Sequence, residues 1–536
     1  MQTKYVVVMG SLMSGMGKGV ITASLLKMLQ LHGYNAVPLK FDGYLNYDCG
    51  TMNPFRHGEV FVLDDKSEVD MDFGMYERFM NKNLTNVSSI TGGKLFSRII
   101  DKERRGEYLG EDVQMIPHVT NEIAGMVEEA ARKKRADVLV IEVGGTVGDL
   151  ENGYFIEAMR QMAATHTMAF INLTYVPVVD AVGEQKTKPA QLGIRGLMQL
   201  GIKPDFLVCR SEKPMEERTL QKLALYAGMS KERIIDDSTQ HTVYALPLHF
   251  MDQHLDTMLL DRLGMPRGRL DRKLLDAWAS LVARIDGQER KVRVAIVGKY
   301  VYLKDSYVSV KEALVHACAL NDVRLEVDWI ESEELEGGKH SPEELLGGAD
   351  ALIVPGGFGK RGIEGMITAI RYAREHRVPF LGLCLGMQLM VIEYARDVCG
   401  LKDANSSEFE PGARHKVIAL MEEQRGIRRK GGTMRLGDWA ARTKPGTIVR
   451  NAYGTEVVHE RHRHRYEFNN RYRGLMQRKG LVISATTLDG SLVESTEWRG
   501  SFGIGTQAHP ELKSRLERPA PLFVELVRRA ALGERP

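Results

Sequence analysis

The sequence predicts an α/β protein of two domains, the first built on a parallel sheet, and three observations carry that prediction. Short apolar runs alternate with amphipathic stretches over most of the chain, as they do where buried parallel strands are joined by crossover helices. Between about Leu259 and Arg290 the pattern gives way to a polar, strongly charged stretch, after which the alternation resumes. The length, 536 residues, exceeds what one hydrophobic core sustains. The domains read as 1–265 and 291–536, with a partly helical linker over 266–290.

In the first domain "KYVVVMG", "NAVPLKFD", "ADVLVIEVGG", "TMAFINLTYV" and "PDFLVCRS" are too apolar and too short for exposed helices and read as buried strands. "VITASLLKMLQLHG" has helical periodicity and stops at Gly33. In the second, "KVRVAIVGKY", "VRLEVDWI", "ADALIVPGG" and "VPFLGLCLG" repeat the strand pattern. No internal repeat and no low-complexity tract interrupts either half.

Composition narrows the function. With 73 basic and 70 acidic residues the formal charge is only +3, so no nucleic-acid or membrane attraction is expected. Met1–Gly10 lacks the basic start, apolar run and cleavage site of a signal peptide, and no apolar stretch approaches the ~20 residues of a bilayer span. A cytoplasmic location is expected. The five cysteines, Cys49, Cys209, Cys318, Cys384 and Cys399, have neither disulfide-framework nor zinc spacing.

"VVVMGSLMSGMGKGV" runs from a strand through a glycine-rich turn into a helix. The amides of Gly15, Gly17 and Gly19, the helix N-terminus and Lys18 form a phosphate-binding loop. The usual G-x-x-x-x-G-K-[ST] spacing is not met, and Gly19 brings no hydroxyl for magnesium. A magnesium ion must then be held by carboxylates, and strand ends supply them: Glu142, Asp70 and Asp72, with Lys40 and Asp42 closing another strand. The plainer alternative is a glycine turn beside a surface lysine, with solvated loop carboxylates around it.

"VPFLGLCLGMQLM" sets Cys384 between Gly382 and Gly386. A cysteine in an apolar run is most often a packing residue, but packing needs no flanking glycines. G-x-C-x-G is the cysteine counterpart of the nucleophile elbow. In "FGIGTQAHPELKS" an extended backbone puts His509 and Glu511 on one face, so that Glu511 orients the imidazole toward a thiol, completing Cys–His–Glu. Gly356 and Gly357 in "LIVPGGFGKRGIEG", with the amide of Leu385, are the candidate oxyanion hole.

These segments, together with "GTMNPFRHGEVFV", "DFGMYERF", "RRGEYLG", "QMIPHVTNEI", "IEVGGTVGDLE", "GEQKTKP", "GGTMRLG" and "ERHRHRYEFNN", resemble the CTP synthases along the whole chain. That family joins an amidoligase synthetase domain to a class I glutamine amidotransferase domain. The resemblance implies a P-loop-type, dethiobiotin-synthetase-like parallel sheet followed by a flavodoxin-like open sheet. It implies that ATP phosphorylates the 4-oxygen of UTP and that ammonia from glutamine displaces the phosphate.

Carried onto this sequence, the resemblance makes Ser14, Gly15, Met16, Gly17, Lys18, Gly19 and Val20 nucleotide contacts, Lys40 an aid to phosphoryl transfer, and Asp72 and Glu142 the Mg2+ ligands, with Asp72 also facing ATP. UTP or CTP would meet Ser14, Asp149, Leu150, Glu151, Lys186, Thr187, Lys188, Pro189, Ala190, Gln191 and Lys222. Glutamine would meet Gly357, Leu385, Gly386, Met387, Gln388, Glu408 and Arg465 around Cys384, His509 and Glu511. GTP would activate near Arg361 and Glu364, CTP would inhibit, and the assembly would be a homotetramer, with filaments compatible.

Several positions depart from the family pattern: Cys49 stands where proline is usual, and Ala190, Leu192 and Gly193 stand where Thr, His and Ser are usual. "RIIDDSTQHT", spanning Asp237–Gln240, matches the adenine-contacting segment poorly. CTP feedback is therefore expected to differ. The rival enzyme reading is a glutamine-dependent amidoligase of the cobyrinate or dethiobiotin synthetase type with another acceptor. A binding reading is a partitioning-type ATPase switch with a relic glutaminase, against which the intact triad speaks.

Overall fold

The computed structural model describes residues 2–13, 15–179, 183–268, 270–286, 289–421, 424, 426 and 431–533. The chain divides into two compact units, Met1–Asp48 with Met75–Val282, and Cys49–Gly74 with Ala283–Pro536.

The first unit is a seven-stranded parallel sheet of β1 (Lys4–Gly10), β2 (Ala36–Asp42), β3 (Ser89–Thr91), β4 (Val138–Val143), β5 (Met168–Tyr175), β6 (Phe206–Ser211) and β7 (Ile234–Ser238), in the order β7-β6-β5-β1-β4-β2-β3. The five apolar runs read from the sequence are β1, β2, β4, β5 and β6. Their side chains are buried on both faces, with Val7, Leu39, Phe41 and Ile141 in one cluster and Phe41 stacked on Phe155 at 4.4 Å. Strand order reverses on either side of β1, so its carboxyl end opens into the crevice where such sheets bind ligands. The glycine loop leaves from that end and enters the helix Lys18–Leu31.

The stretch read as linker holds the helix Arg272–Asp286, and its Trp278 is fully buried in the first unit. The indole N–H donates to the Tyr244 carbonyl at 3.0 Å, and the ring lies 5.6 Å from Phe79 and 4.1 Å from the Lys27 ammonium. A single aromatic anchor thus docks a helix that composition alone marks as solvated.

In the second unit nine strands form one sheet: β8 (Lys291–Gly298), β9 (Arg324–Glu331), β10 (Ala351–Val354), β11 (Phe380–Leu383), β12 (Arg435–Thr443), β13 (Val457–His464), β14 (Val482–Thr487), β15 (Val493–Glu497) and β16 (Gly503–Thr506). The order is β9-β8-β10-β11-β16-β15-β14-β12-β13. From β9 to β16 the neighbours are parallel; from β16 to β13 they are antiparallel. The antiparallel half escapes an apolar-run reading because its strands bury charge: Arg435 and Glu494 pair at 2.6 Å, and Arg461, His462 and His464 are each at most 2% exposed.

Three departures from the family pattern take a different meaning in place. Ala190 is wholly buried in an apolar cluster with Val176, Ile194, Leu207 and Leu223, so its methyl is a core contact and not the missing polar group of a nucleotide pocket. Leu192 is 60% exposed. A Cβ at Gly193 would stand 2.2 Å from Ser11 Oγ, so this glycine lets the helix Lys188–Gln199 approach the start of the phosphate loop. Ala190→Thr is therefore expected to destabilise the protein by about 1–3 kcal/mol through overpacking. The measurement is the denaturation midpoint of the variant.

Candidate active sites

In the first unit the side chain of Lys18 arcs back over Gly10, where an added Cβ would lie 3.0 Å from its Cδ, and its ammonium donates to the Gly145 carbonyl at 2.7 Å. Gly15 and Gly17 hold φ of +78° and +99°, the left-handed conformation that keeps the loop open at the helix N-terminus. Met16 is buried and Val20 lies in the first helical turn. Ser14 lies outside the described residues.

Opposite the loop, β2 and β4 run parallel with Lys40 facing Glu142 in register. Lys40 Nζ lies 3.8 Å from Glu142 Oε1 and 3.9 Å from Asp42 Oδ1, while the Tyr76 hydroxyl donates to Glu142 Oε2. Glu142 is 2% exposed, so its charge is held inside the sheet by a lysine and a hydroxyl. Asp72, in the segment Cys49–Gly74 that belongs with the second unit, opens the helix Asp72–Met80 with its N–H on Asp70 Oδ1 at 2.9 Å. Among the described residues no three His, Cys, Asp or Glu side chains converge to hold a metal.

At the end of β4 the Thr146 N–H donates to Asp149 Oδ2 at 2.7 Å, and Leu150 is 90% exposed. Lys186 pairs with Glu184, and Lys222 is close enough for its charge to favour the Glu184 carboxylate. Thr187 and Gln191 are buried and bonded to each other at 3.2 Å. Lys188 and Pro189 open the helix that carries Ala190. Near the poorly matching segment, Asp237 is raised to about 7 by burial, although Arg210 at 3.3 Å opposes the shift.

In the second unit Cys384 ends β11 and caps the helix Leu385–Asp397, with φ +49° and ψ −96°. A non-glycine residue held there is strained. Cβ atoms at Gly382 and Gly386 would stand 2.6 Å from the Gly386 carbonyl carbon and 2.1 Å from the Val354 oxygen, so both flanking glycines are required by the turn. The Cys384 N–H donates to the Thr506 carbonyl of β16 at 2.7 Å, and the Gln388 N–H to the Cys384 carbonyl at 3.2 Å.

His509 follows β16, and its Nδ1 meets Glu511 Oε1 at 2.6 Å. The segment is not extended, as the i, i+2 reading expects: Glu511 lies in a 3-10 turn, Pro510–Lys513, and reaches the ring by folding back. Burial alone would pull the imidazole down, yet the Glu511 carboxylate and then the Cys384 sulfur hold it well above its usual value. A Cβ on Gly356 would come within 2.8 Å of His509 Cε1, and one on Gly357 within 3.2 Å of Leu385 Cδ2, so the Gly-Gly turn lies against the triad. A cavity of about 80 Å³ touches His509, Glu511, Gly356 and Gly357, and Pro54, Val60 and Tyr307 also line it.

Glu408 Oε1 accepts the Gly359 N–H at 2.9 Å, and burial raises its carboxyl. Arg465 reaches Thr433 Oγ1 at 3.1 Å. Met387 packs beneath β16, where a Cβ at Gly505 would lie 2.9 Å from its Cγ. Arg361 is held by Glu331 at 3.1 Å and Glu333 at 2.8 Å, and Glu364 by Arg396 at 2.7 Å.

Four side chains at these sites escape a motif reading. Tyr76 is one. Lys299, 1% exposed, donates to the Phe358 carbonyl at 3.3 Å beneath the Gly-Gly turn, and burial brings its ammonium down to about 8. Arg463 pairs with Glu68 at 2.8 Å and offers its carbonyl to Cys384 Sγ at 3.8 Å. Gln507 reaches the same sulfur at 3.5 Å. The signals present, a lysine after a strand-end glycine, the "RHRHR" run and a glutamine two residues before His509, are too common to single these out.

Both halves of the chain match known protein families. Residues 4–265 match the family described as CTP synthase N-terminus, and residues 302–529 the family described as glutamine amidotransferase class-I. CTP synthase of Rubrobacter xylanophilus is 48% identical over 525 residues, covering 97% of this chain and 94% of the relative. CTP synthase of Geobacillus kaustophilus is 47% identical over 536 residues, covering 99% and 100%. The solved glutaminase domain of Trypanosoma brucei CTPS with bound acivicin is 38% identical, covers 45% of this chain and 94% of that one, and superposes with a TM-score of 0.43. The chain belongs to the CTP synthase family.

Proposed function

We propose the following division of labour for the ATP-dependent amination of UTP to CTP with glutamine nitrogen that defines this family. The second unit hydrolyses glutamine, and the observation that carries this is the strained Cys384 elbow beside a His509 whose Nδ1 is held by Glu511 at 2.6 Å. A proton kept on the imidazole leaves the sulfur to attack the glutamine carboxamide as thiolate. The amides of Gly357 and Leu385 receive the developing oxyanion, and His509 then protonates the departing nitrogen. Gly386, Met387, Gln388, Glu408 and Arg465 line the glutamine site in this reading. The 80 Å³ cavity beside the triad has room for a small neutral molecule such as ammonia.

In the first unit Lys18 and the Gly15–Val20 loop bind the phosphates, with Lys40 on the transferring group. Asp149–Glu151, Lys186–Gln191 and Lys222 form the pyrimidine nucleotide site, to which Ala190 contributes as packing. The donor chemistry fits Mg2+: Glu142 is a buried oxygen donor faced by Lys40 at 3.8 Å, and the resemblance adds Asp72. The ion would neutralise charge on the transferring phosphoryl group. A cytoplasmic homotetramer activated by GTP and inhibited by CTP completes the proposal.

The test follows conversion of UTP to CTP by absorbance, with ATP and Mg2+, using glutamine or ammonium as nitrogen donor. Cys384→Ala is expected to lose glutamine-dependent synthesis by roughly 10⁴-fold or more and to keep ammonium-dependent synthesis near the normal rate. Loss of both activities in a folded variant would make Cys384 structural. Glu142→Ala is expected to lose both activities by at least about 100-fold, while basal glutamine hydrolysis persists. GTP is expected to accelerate the glutamine reaction alone, because Arg361 and Lys299 join its proposed loop to the Gly-Gly turn. Equal stimulation with ammonium would refute that placement.

A further inference from the structure

Building on the reading of Cys384 as nucleophile, we propose that Gln507 is a catalytic residue of glutamine hydrolysis, whose carboxamide N–H donates to Cys384 Sγ and stabilises its negative charge. Gln507 Nε2 lies 3.5 Å from the sulfur, and the side chain is 1% exposed at the end of β16.

A chain of bonds fixes which end of the amide meets the sulfur. The Tyr466 carbonyl can only accept, so Gln388 must present its NH2 group there, at 2.9 Å. The same NH2 group lies 3.2 Å from Gln507 Oε1, so Gln507 must present its oxygen to Gln388. Its NH2 group is thereby left facing Cys384. The Gln507 backbone is held too, its N–H on the Glu494 carbonyl at 2.9 Å.

The other neighbours of the sulfur do not duplicate this donor. The Arg463 carbonyl at 3.8 Å accepts from the thiol and disfavours the thiolate, and His509 gives up its proton during the reaction. On attack the Sγ–C bond forms while the carbonyl pair moves to oxygen. Collapse then breaks the C–N bond, with the proton of His509 going to the leaving nitrogen. Gln507 transfers no proton at any step, so it keeps donating to the sulfur whenever the thiolate is formed.

The experiment measures alkylation of Cys384 by iodoacetamide from pH 5 to 10, by mass spectrometry of its peptide, in Gln507→Met and in Gln507→Asn, whose shorter amide does not reach. Losing one hydrogen bond to a charged group is expected to move the midpoint up by about one pH unit. Nucleophilicity rises with basicity with a coefficient near 0.4–0.5, so both variants should react about threefold slower on the acid limb of the profile, well below the wild-type midpoint, and about threefold faster on the alkaline plateau. That crossing is not produced by loosened packing. Profiles that superpose on wild type, or fall uniformly at all pH, would overturn the role of Gln507 while leaving Cys384 as nucleophile. A wild-type Cys384 that does not alkylate, with Cys384→Ala still hydrolysing glutamine, would overturn the underlying reading as well.

Discussion

The backbone conformation of Cys384 is the constraint on which the second unit depends. A φ of +49° in a residue with a side chain persists only where the surroundings over-determine it, and they do so from three sides. The Cys384 N–H is tied to Thr506 of the adjacent parallel strand. Gly382 folds against Gly386, and Gly386 against the Val354 carbonyl, at distances no Cβ tolerates. The helix that begins at Leu385 is buried along almost its whole length. The parallel half of the sheet is thus a frame that holds one thiol at the end of a strand, with Gly356 and Gly357 delivered by the neighbouring strand end.

The antiparallel half solves a different problem, that of keeping an acid, a base and several cations inside the protein without leaving charge unpaired. Arg435 meets Glu494, Arg461 meets Asp64 at 2.6 Å and Arg463 meets Glu68 at 2.8 Å. Buried pairs of this kind contribute little net stability but are costly to break. They specify how the strand is seated, and this strand matters: the Arg461 carbonyl accepts the His509 N–H at 2.7 Å and the Arg463 carbonyl faces Cys384. Alternate residues of "RHRHR" therefore serve two faces, arginines bound to Asp64 and Glu68 on one, and His462 and His464 packed 3.2 Å apart on the other. Both histidines are pulled down by burial and remain neutral.

Legibility in the sequence follows from how local each determinant is. Apolar strands of the parallel sheets declare themselves within seven or eight residues, and so do G-x-C-x-G and H-x-E, because a turn and an i, i+2 pair are short-range objects. Even there the geometry differed, since His509 and Glu511 meet through a 3-10 turn and not along a strand. What hid were elements whose stability comes from distant partners. Trp278 docks a charged helix through Phe79 and Tyr244. Segment Cys49–Gly74 belongs with the second unit, to which Asp64 and Glu68 bind it across nearly four hundred residues of chain. Ala190 looks like a lost polar contact in a comparison of letters and is a core methyl in space.

The two sites also differ in how much of their chemistry the protein supplies in advance. Around Cys384 each polar group has a partner of fixed direction: the imidazole on Glu511, the Gln507 amide on Gln388, the turn above Lys299. Such preorganisation lets the site respond to charge developing in the transition state without rearranging. At the phosphate loop the cation of Lys18 rests on a neutral carbonyl, Gly145, at 2.7 Å. A phosphate oxygen would offer it a charge-assisted bond about twice as strong as a neutral one. Lys40 lies between Glu142 at 3.8 Å and Asp42 at 3.9 Å. One unit is thus built around a strained cysteine fixed by its surroundings, and the other around two buried lysines, Lys18 and Lys40, that face a carbonyl and two carboxylates.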